Sequence, residues 1–129
     1  MSNDSKPEVG SIVWHDLTIE NADEVRDFYA AVVGWQPAPV SMGDYNDYNM
    51  NNPDSGSTSA GVCHARGGNE GLPAQWLMYV KVADAKESAE QCVALGGKVL
   101  KGPVTFGGDS YYTIQDPAGA AMVVFSAES

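Results

Sequence analysis

A chain that repeats itself has few ways to fold, and this one writes half of itself twice. "IVWHDLTIENADEVRDFYAAVVGW" occupies residues 12–35, and "WLMYVKVADAKESAEQCVALGGKVL" occupies residues 76–100. Each stretch reads as an alternating strand, a short polar break, a helix and a glycine. Leu17 and Ile19 correspond to Val80 and Val82 at an offset of 63, and Gly34 to Gly96 at 62. A repeat constrains the architecture before any single element does, because each copy must bury an equivalent face.

The helices are marked at both ends. Asn21 stands three residues before Glu24, and Asp84 three before Glu87, which predicts a capping box at each N-terminus. Gly34 and Gly96 fall where a left-handed residue ends a helix. Val25, Phe28, Tyr29 and Val32 recur at helical spacing and predict the sheet-facing stripe of the first helix. Ala85, Ala89, Cys92 and Val93 do the same in the second, which makes Cys92 a core residue.

Three strand candidates follow each helix. They are residues 35–40, 47–50 and 59–65, then 98–101, 110–115 and 120–126. The turn signals "SMGD", "NNPDSGS", "GPVTFGGD" and "DPAG" separate them. The unit is therefore βαβββ, used twice, in an α+β fold. Module one covers residues 11–66, a linker 67–75 and module two 76–126, after a polar, disordered tail over residues 1–10.

At 129 residues the chain is one domain with enough length to bury a core. Seven basic residues stand against 17 acidic ones, a net charge of −10. Such a surface repels phosphate backbones and anionic lipid, which argues against nucleic acid and membrane partners. No apolar run is long enough to span a bilayer, and the polar start carries no secretory signal. A cytoplasmic location follows as the expectation, with Cys63 and Cys92 reduced.

"FYAAVVGW" (residues 28–35), "ALGGKVL" (94–100) and "DPAGAAMVVF" (116–125), in this order, resemble the vicinal oxygen chelate superfamily. That superfamily includes glyoxalases, bleomycin-resistance proteins and ring-cleaving dioxygenases. The resemblance covers residues 11–126. It implies that each module curls its sheet into an open cup or barrel with the helix outside, and that metal and substrate lie in the cup. It also implies a homodimer.

Strand alternation decides which side chains face that cup. In the first strand Val13, His15, Leu17 and Ile19 form the mostly apolar set, expected under the helix. Trp14, Asp16 and Thr18 then face the cup. By the family's spacing the metal-ligand positions fall at Trp14, near Gly61, at Leu77 and at Val123. None offers a nitrogen, carboxylate or thiolate ligand, whereas a protein metal site needs three or four. The resemblance therefore points to a member without the usual metal or any other cofactor.

The polar groups left for chemistry are few. Asp16 and its repeat partner Tyr79 could fix a ligand or move a proton, since a partly desolvated carboxylate favours its neutral form. Trp14 could stack on a flat ligand, and Tyr48 could reach inward from the edge hairpin. His64, near a strand end, could reach the rim, and Arg66 could meet an anion. Cys63 and His64 are adjacent in a strand, so they should point to opposite faces and form no catalytic pair. The candidate catalytic residues are Asp16, Tyr79 and His64; the ligand-binding set is Trp14, Asp16, Tyr48, His64 and Tyr79.

The function implied is binding of a small organic molecule, with lyase or isomerase chemistry as an extension. One alternative is a metal-dependent glyoxalase- or dioxygenase-like enzyme using His15 and His64. Another is a non-catalytic dimerisation module with a filled cup.

Overall fold

The computed structural model describes residues 7–128. Its elements run β1 (Ile12–Ile19), α1 (Ala22–Val33), β2 (Gln36–Ser41), β3 (Asn46–Asn51), β4 (Thr58–His64), β5 (Trp76–Lys81), α2 (Ala85–Ala94), β6 (Lys98–Phe106), β7 (Asp109–Gln115) and β8 (Ala121–Ala127). A short 3₁₀ turn, Gly67–Asn69, lies in the linker. The order is βαβββ twice, as the repeat predicts.

The chain divides into two compact units. One is Trp14–Trp76; the other comprises Leu77 onward together with the residues up to Val13. In the first unit the strand order is β2-β3-β4-β1, with β1 and β4 parallel and the remaining pairs antiparallel. In the second it is β5-β8-β7-β6, with β5 and β8 parallel. The first six residues of the expected tail lie outside the described residues. Near its end the chain is tied down: Gly10 N–H donates to the Lys81 carbonyl (2.7 Å) and Lys81 N–H to that of Ser11 (2.9 Å).

Each unit has its own core beneath its own helix. In the first, Ala22, Tyr48, Met50 and Val62 are buried together, with Ile19, Tyr29, Trp35 and Trp76 packed around them. In the second, Ala85, Ala89, Tyr112 and Val124 form the core, flanked by Val82, Val99 and Ile114. The helix stripes are narrower than their sequence period suggests. Phe28 and Val32 are 57% and 64% exposed, and Val93 is 58% exposed. Small residues let the helices settle close to the strands: Ala22, Ala85 and Ala89 carry the buried contacts.

The caps split. Asp84 accepts from Glu87 N–H at 3.1 Å and caps α2 as expected. Asn21 makes no side-chain cap; its amide donates to the Glu24 carboxylate at 3.2 Å instead, so the two side chains satisfy each other and leave the backbone donor out. Both helices end on a glycine with positive φ, 90° at Gly34 and 100° at Gly96. After α2 the Gly96 N–H meets the Val93 carbonyl (3.3 Å) and the Gly97 N–H that of Cys92 (2.8 Å), the paired bonds of a Schellman ending.

β6 corrects the expected turn at "GPVTFGGD". The strand continues to Phe106, and only Gly107 and Gly108 turn. Its pairing with β7 shifts register twice, between Val99 and Lys101 and between Lys101 and Val104. As the last strand in its unit's order, β6 tolerates Pro103, which falls within the second of these register shifts. A Cβ at Gly102 would stand 2.7 Å from the Tyr111 carbonyl oxygen, so glycine permits the close approach to β7.

Candidate functional site

Residues paired across a sheet share a face. Leu17 pairs with Val62, which lies in the core under α1. Asp16 pairs with Gly61 and Thr18 with Cys63, so these four lie on the face turned away from α1. Trp14 joins them by alternation. This is the face that strand parity assigned to Trp14 and Asp16.

The Asp16 carboxylate is the centre of this face. Its Oδ1 accepts the Trp14 indole N–H at 2.9 Å and the Cys63 thiol at 3.9 Å. Gly61 makes the arrangement possible. A Cβ there would run into Asp16 Oδ1 and come within 3.3 Å of Trp14 Cζ2. The carboxylate thus fills the space that a side chain at 61 would need. Burial pushes the Cys63 thiol far up, and the carboxylates of Asp16 and Asp47 add to the shift. Cys63 therefore stays protonated, a donor and not a nucleophile. Thr18, next on the same face, lines a cavity of about 620 Å³ whose other walls include Ile19, Glu20, Asn21, Glu70 and Leu72.

Tyr48 and His64 stand elsewhere. Tyr48 pairs with Val62, and His64 is two residues further along β4, so both turn to the α1 side. Tyr48 is buried there and donates its hydroxyl to Asp23 Oδ1 at 2.6 Å, with the Arg26 guanidinium 4.6 Å over its ring. His64 Nε2 is 3.6 Å from Asp23 and Nδ1 is 3.4 Å from Asp47, which also accepts the His64 backbone N–H at 2.8 Å. The structure thus brings Tyr48 and His64 together but separates them from Trp14 and Asp16. Asp23 and Arg26 are the partners that sequence reasoning missed. The available signal was that a buried phenol needs a hydrogen-bond partner, and the first turn of α1 supplies one.

The Tyr48 hydroxyl holds the Asp23 carboxyl below its ordinary value. Stabilisation from a depressed carboxylate is complete above its unfolded pKa and is lost as pH falls through the folded one. Tyr48→Phe should accordingly lower the urea midpoint at neutral pH. The gap from the parent protein should close below about pH 4. A gap of constant size across that range would show that Asp23 is not what the hydroxyl serves.

His15 is exposed, on the helix side by alternation but outside the packed core. Ile19 pairs with His64, and His15 lies four residues earlier, about 13 Å along the strand. One ion cannot be shared by both. Of the metal positions that the resemblance implies, Trp14 and Gly61 bring an indole and no side chain. Leu77 and Val123, in the other unit, are buried aliphatics. Among the described residues no three His, Cys, Asp or Glu are grouped to hold a metal. These residues do not fit a divalent cation, and no chemical step is routed through one.

Tyr79 belongs to the second unit and faces away from α2, paired with Val123. It meets Tyr111 edge-on at 6.0 Å; Tyr111 stacks on Phe125 at 5.4 Å, and Lys81 Nζ sits 5.6 Å over Phe125. Arg66 lies 4.0 Å over the Tyr45 ring and 3.7 Å from Asp44, committed to the surface hairpin. Cys92 is half-buried with its thiol towards the carbonyls of Lys98 and Gln115. Among the described residues no helix is long and apolar enough to cross a membrane.

The family model "Glyoxalase/Bleomycin resistance protein/Dioxygenase superfamily" matches residues 11–124. A Mycobacterium tuberculosis protein named "Putative glyoxylase CFP32" is 28% identical over 118 residues, which is 91% of this chain and 44% of that protein. The anthracycline biosynthesis protein DnrV of Streptomyces peucetius is 28% identical over 128 residues, 90% of this chain and 46% of its own. The chain thus spans less than half the length of these relatives. Among solved structures, a superfamily member from Vibrio splendidus aligns with a TM-score of 0.56 at 10% identity, covering 87% of this chain and 95% of that one. Methylmalonyl-CoA epimerase of Streptomyces coelicolor aligns at 0.53 and 14% identity, covering 95% and 100%. At such identities the likeness is one of fold.

Proposed function

We propose that this chain, which belongs to the glyoxalase/bleomycin resistance protein/dioxygenase superfamily, binds a small organic molecule on the helix-free face of its first half without the family's metal. The observation that carries the reading is the Asp16 carboxylate, seated against Gly61 and held by Trp14 and Cys63. A half-buried carboxylate fixed by two donors is pre-organised to receive a polar group. Trp14 offers it a flat apolar neighbour, and the cavity beyond Thr18 is within the size range of ligand sites.

A carboxylate held in this way can also accept a proton from an activated carbon, the step that lyase and isomerase chemistry requires. Binding alone needs only the hydrogen bond. The first role adds a substrate whose C–H is acidified by a neighbouring carbonyl. A metal-dependent reaction through His15 and His64 has less support, given their separation along the strands.

The test is a thermal-shift screen of small aldehydes, thioesters, aromatic acids and drugs, followed by titration of any binder. Asp16→Asn should weaken binding by about 1 kcal/mol or more, and His15→Gln should leave it unchanged. Protein purified without chelator should carry no stoichiometric transition metal by elemental analysis. Loss of binding in His15→Gln with Asp16→Asn silent would move the site to the other face of β1.

A further inference from the structure

We infer that the helix-free face of the second unit binds flat aromatic carboxylates, with the ring on Tyr111 and the carboxylate at Lys81. This site uses none of the residues around Asp16, so the two readings stand or fall separately.

Strand pairing fixes what stands on this face. α2 covers Tyr112 and Val124, so the alternate residues of β7 and β8 point the other way. One row across the four strands reads Lys81–Phe125–Tyr111–Val104. Lys101 stands one row away, paired with Thr113, and Lys98 beyond it, paired with Gln115. Three of the chain's seven basic residues thus share one face, although the whole chain carries 17 acids. Asp109 is the one acidic residue in these strand rows.

Lys81 is the informative member. Its side chain is half-buried, and it forms no ion pair among the described residues. Its Nζ stands 5.6 Å over the Phe125 ring. A half-buried ammonium on an aromatic ring gains from the ring's quadrupole but still lacks a counter-ion, and a carboxylate supplies one. The surface beside it is aromatic. Tyr111 stacks on Phe125 at 5.4 Å with the rings 20° apart, and the exposed Phe106 and Val104 extend the apolar area. Burial pushes the Tyr111 phenol up and the Asp109 carboxylate adds to the shift, so the hydroxyl stays protonated and can donate to the same anion.

The net charge of −10 opposes an anion at long range. Salt screens that field beyond about 8 Å, whereas contact with Lys81 lies inside this distance. The ligand therefore carries one compact charge. A neutral aromatic gains the ring contact alone, and an aromatic amine meets lysines.

The probes are 1-naphthoate, its methyl ester and 1-naphthylmethylamine, titrated into the full chain. Binding is followed by calorimetry and by amide shifts at Val104, Tyr111 and Val123. Naphthoate should bind at least fivefold more tightly than the ester, with the amine weakest. Lys81→Gln should lose at least fivefold for naphthoate and leave the ester unchanged. Tyr111→Leu should weaken both. Lys86→Gln removes the same charge from α2 and should keep full naphthoate affinity. Added salt should weaken naphthoate and spare the ester.

Equal binding of naphthoate and ester, or tighter binding of the amine, would overturn the charge recognition. Equal losses in Lys81→Gln and Lys86→Gln would show that net charge acts and not contact at Lys81, which overturns the assignment. Shifts at Trp14 and Thr18 with Val104 silent would overturn the placement. Absence of binding by all three probes would remove this face as a site.

Discussion

Met50→Ala is expected to lower the unfolding free energy by about 2–5 kcal/mol. Met50 has no exposed surface and is one of the largest fully buried side chains in the described protein. It lies on β3 against Ala22 of α1 and Val62 of β4, so its side chain joins helix to sheet. Truncation removes the transfer gain and leaves a cavity. The surrounding residues cannot easily close that cavity. Ala22 has nothing to extend, Val62 is itself fully buried, and Tyr48 is held by Asp23. Total stability for a domain of this size is only about 5–15 kcal/mol, so the loss is a large fraction of it. Met50→Leu keeps the volume and should cost less than about 1.5 kcal/mol. Urea denaturation of the three proteins decides the matter. Equal losses for Ala and Leu would mean that the thioether itself, not the filled volume, is what the core needs.

The Met50 result bears on how much a sequence of this kind discloses. The segment "NDYNMN" is rich in asparagine and looks like loop by composition. Its strand was nonetheless readable, because Tyr48 and Met50 alternate with polar residues and the repeat requires a strand there. The repeat carried the topology: element order, both glycine endings and the placement of Trp14 and Asp16 away from α1 all follow from period and offset. What composition obscured was local. "GPVTFGGD" reads as a turn from its glycines and proline, yet an edge strand accepts both where bulges absorb the misfit. Asn21 has the spacing of a cap, but spacing does not reveal that Glu24 would take its amide.

Helical period likewise marks a stripe without its width. Phe28 and Val32 lie on that stripe and still face solvent, whereas Ala22 and Tyr29 carry the helix's contacts with the core. The site was legible only where one strand sufficed. Parity along β1 put Asp16 on its face. Tyr48 and His64 required knowing the register of β3 and β4 against β1, and a pairing displaced by one residue would reverse both. Gly61 could be read as an absent ligand. Its contribution, the space that it leaves for a neighbouring carboxylate, is visible only across the β1–β4 pair.

Gly61→Ala should therefore remove the site while sparing most of the fold. The backbone at this glycine is ordinary strand, so alanine brings no penalty from a positive φ. The cost comes from one overlap, between the new Cβ and Asp16 Oδ1, and from a close approach to Trp14 Cζ2 at 3.3 Å. A carboxylate end can swing away where backbone cannot. The expected outcome is a rotated Asp16 that gives up the Trp14 N–H and the Cys63 thiol, at about 1–3 kcal/mol of stability. Ligand affinity should fall at least as far as in Asp16→Asn, because the carboxylate is then displaced as well as unheld. Indole fluorescence and the Trp14 Nε1–H resonance report the broken bond directly. The double variant Gly61→Ala/Asp16→Ala should regain part of the stability, since the smaller side chain at 16 gives the new methyl its room. Binding should stay lost in the double variant. If Gly61→Ala keeps both the Trp14 resonance and full affinity, then Asp16 does not rely on the space at position 61, and the carboxylate is not the fixed anchor on which the binding reading depends.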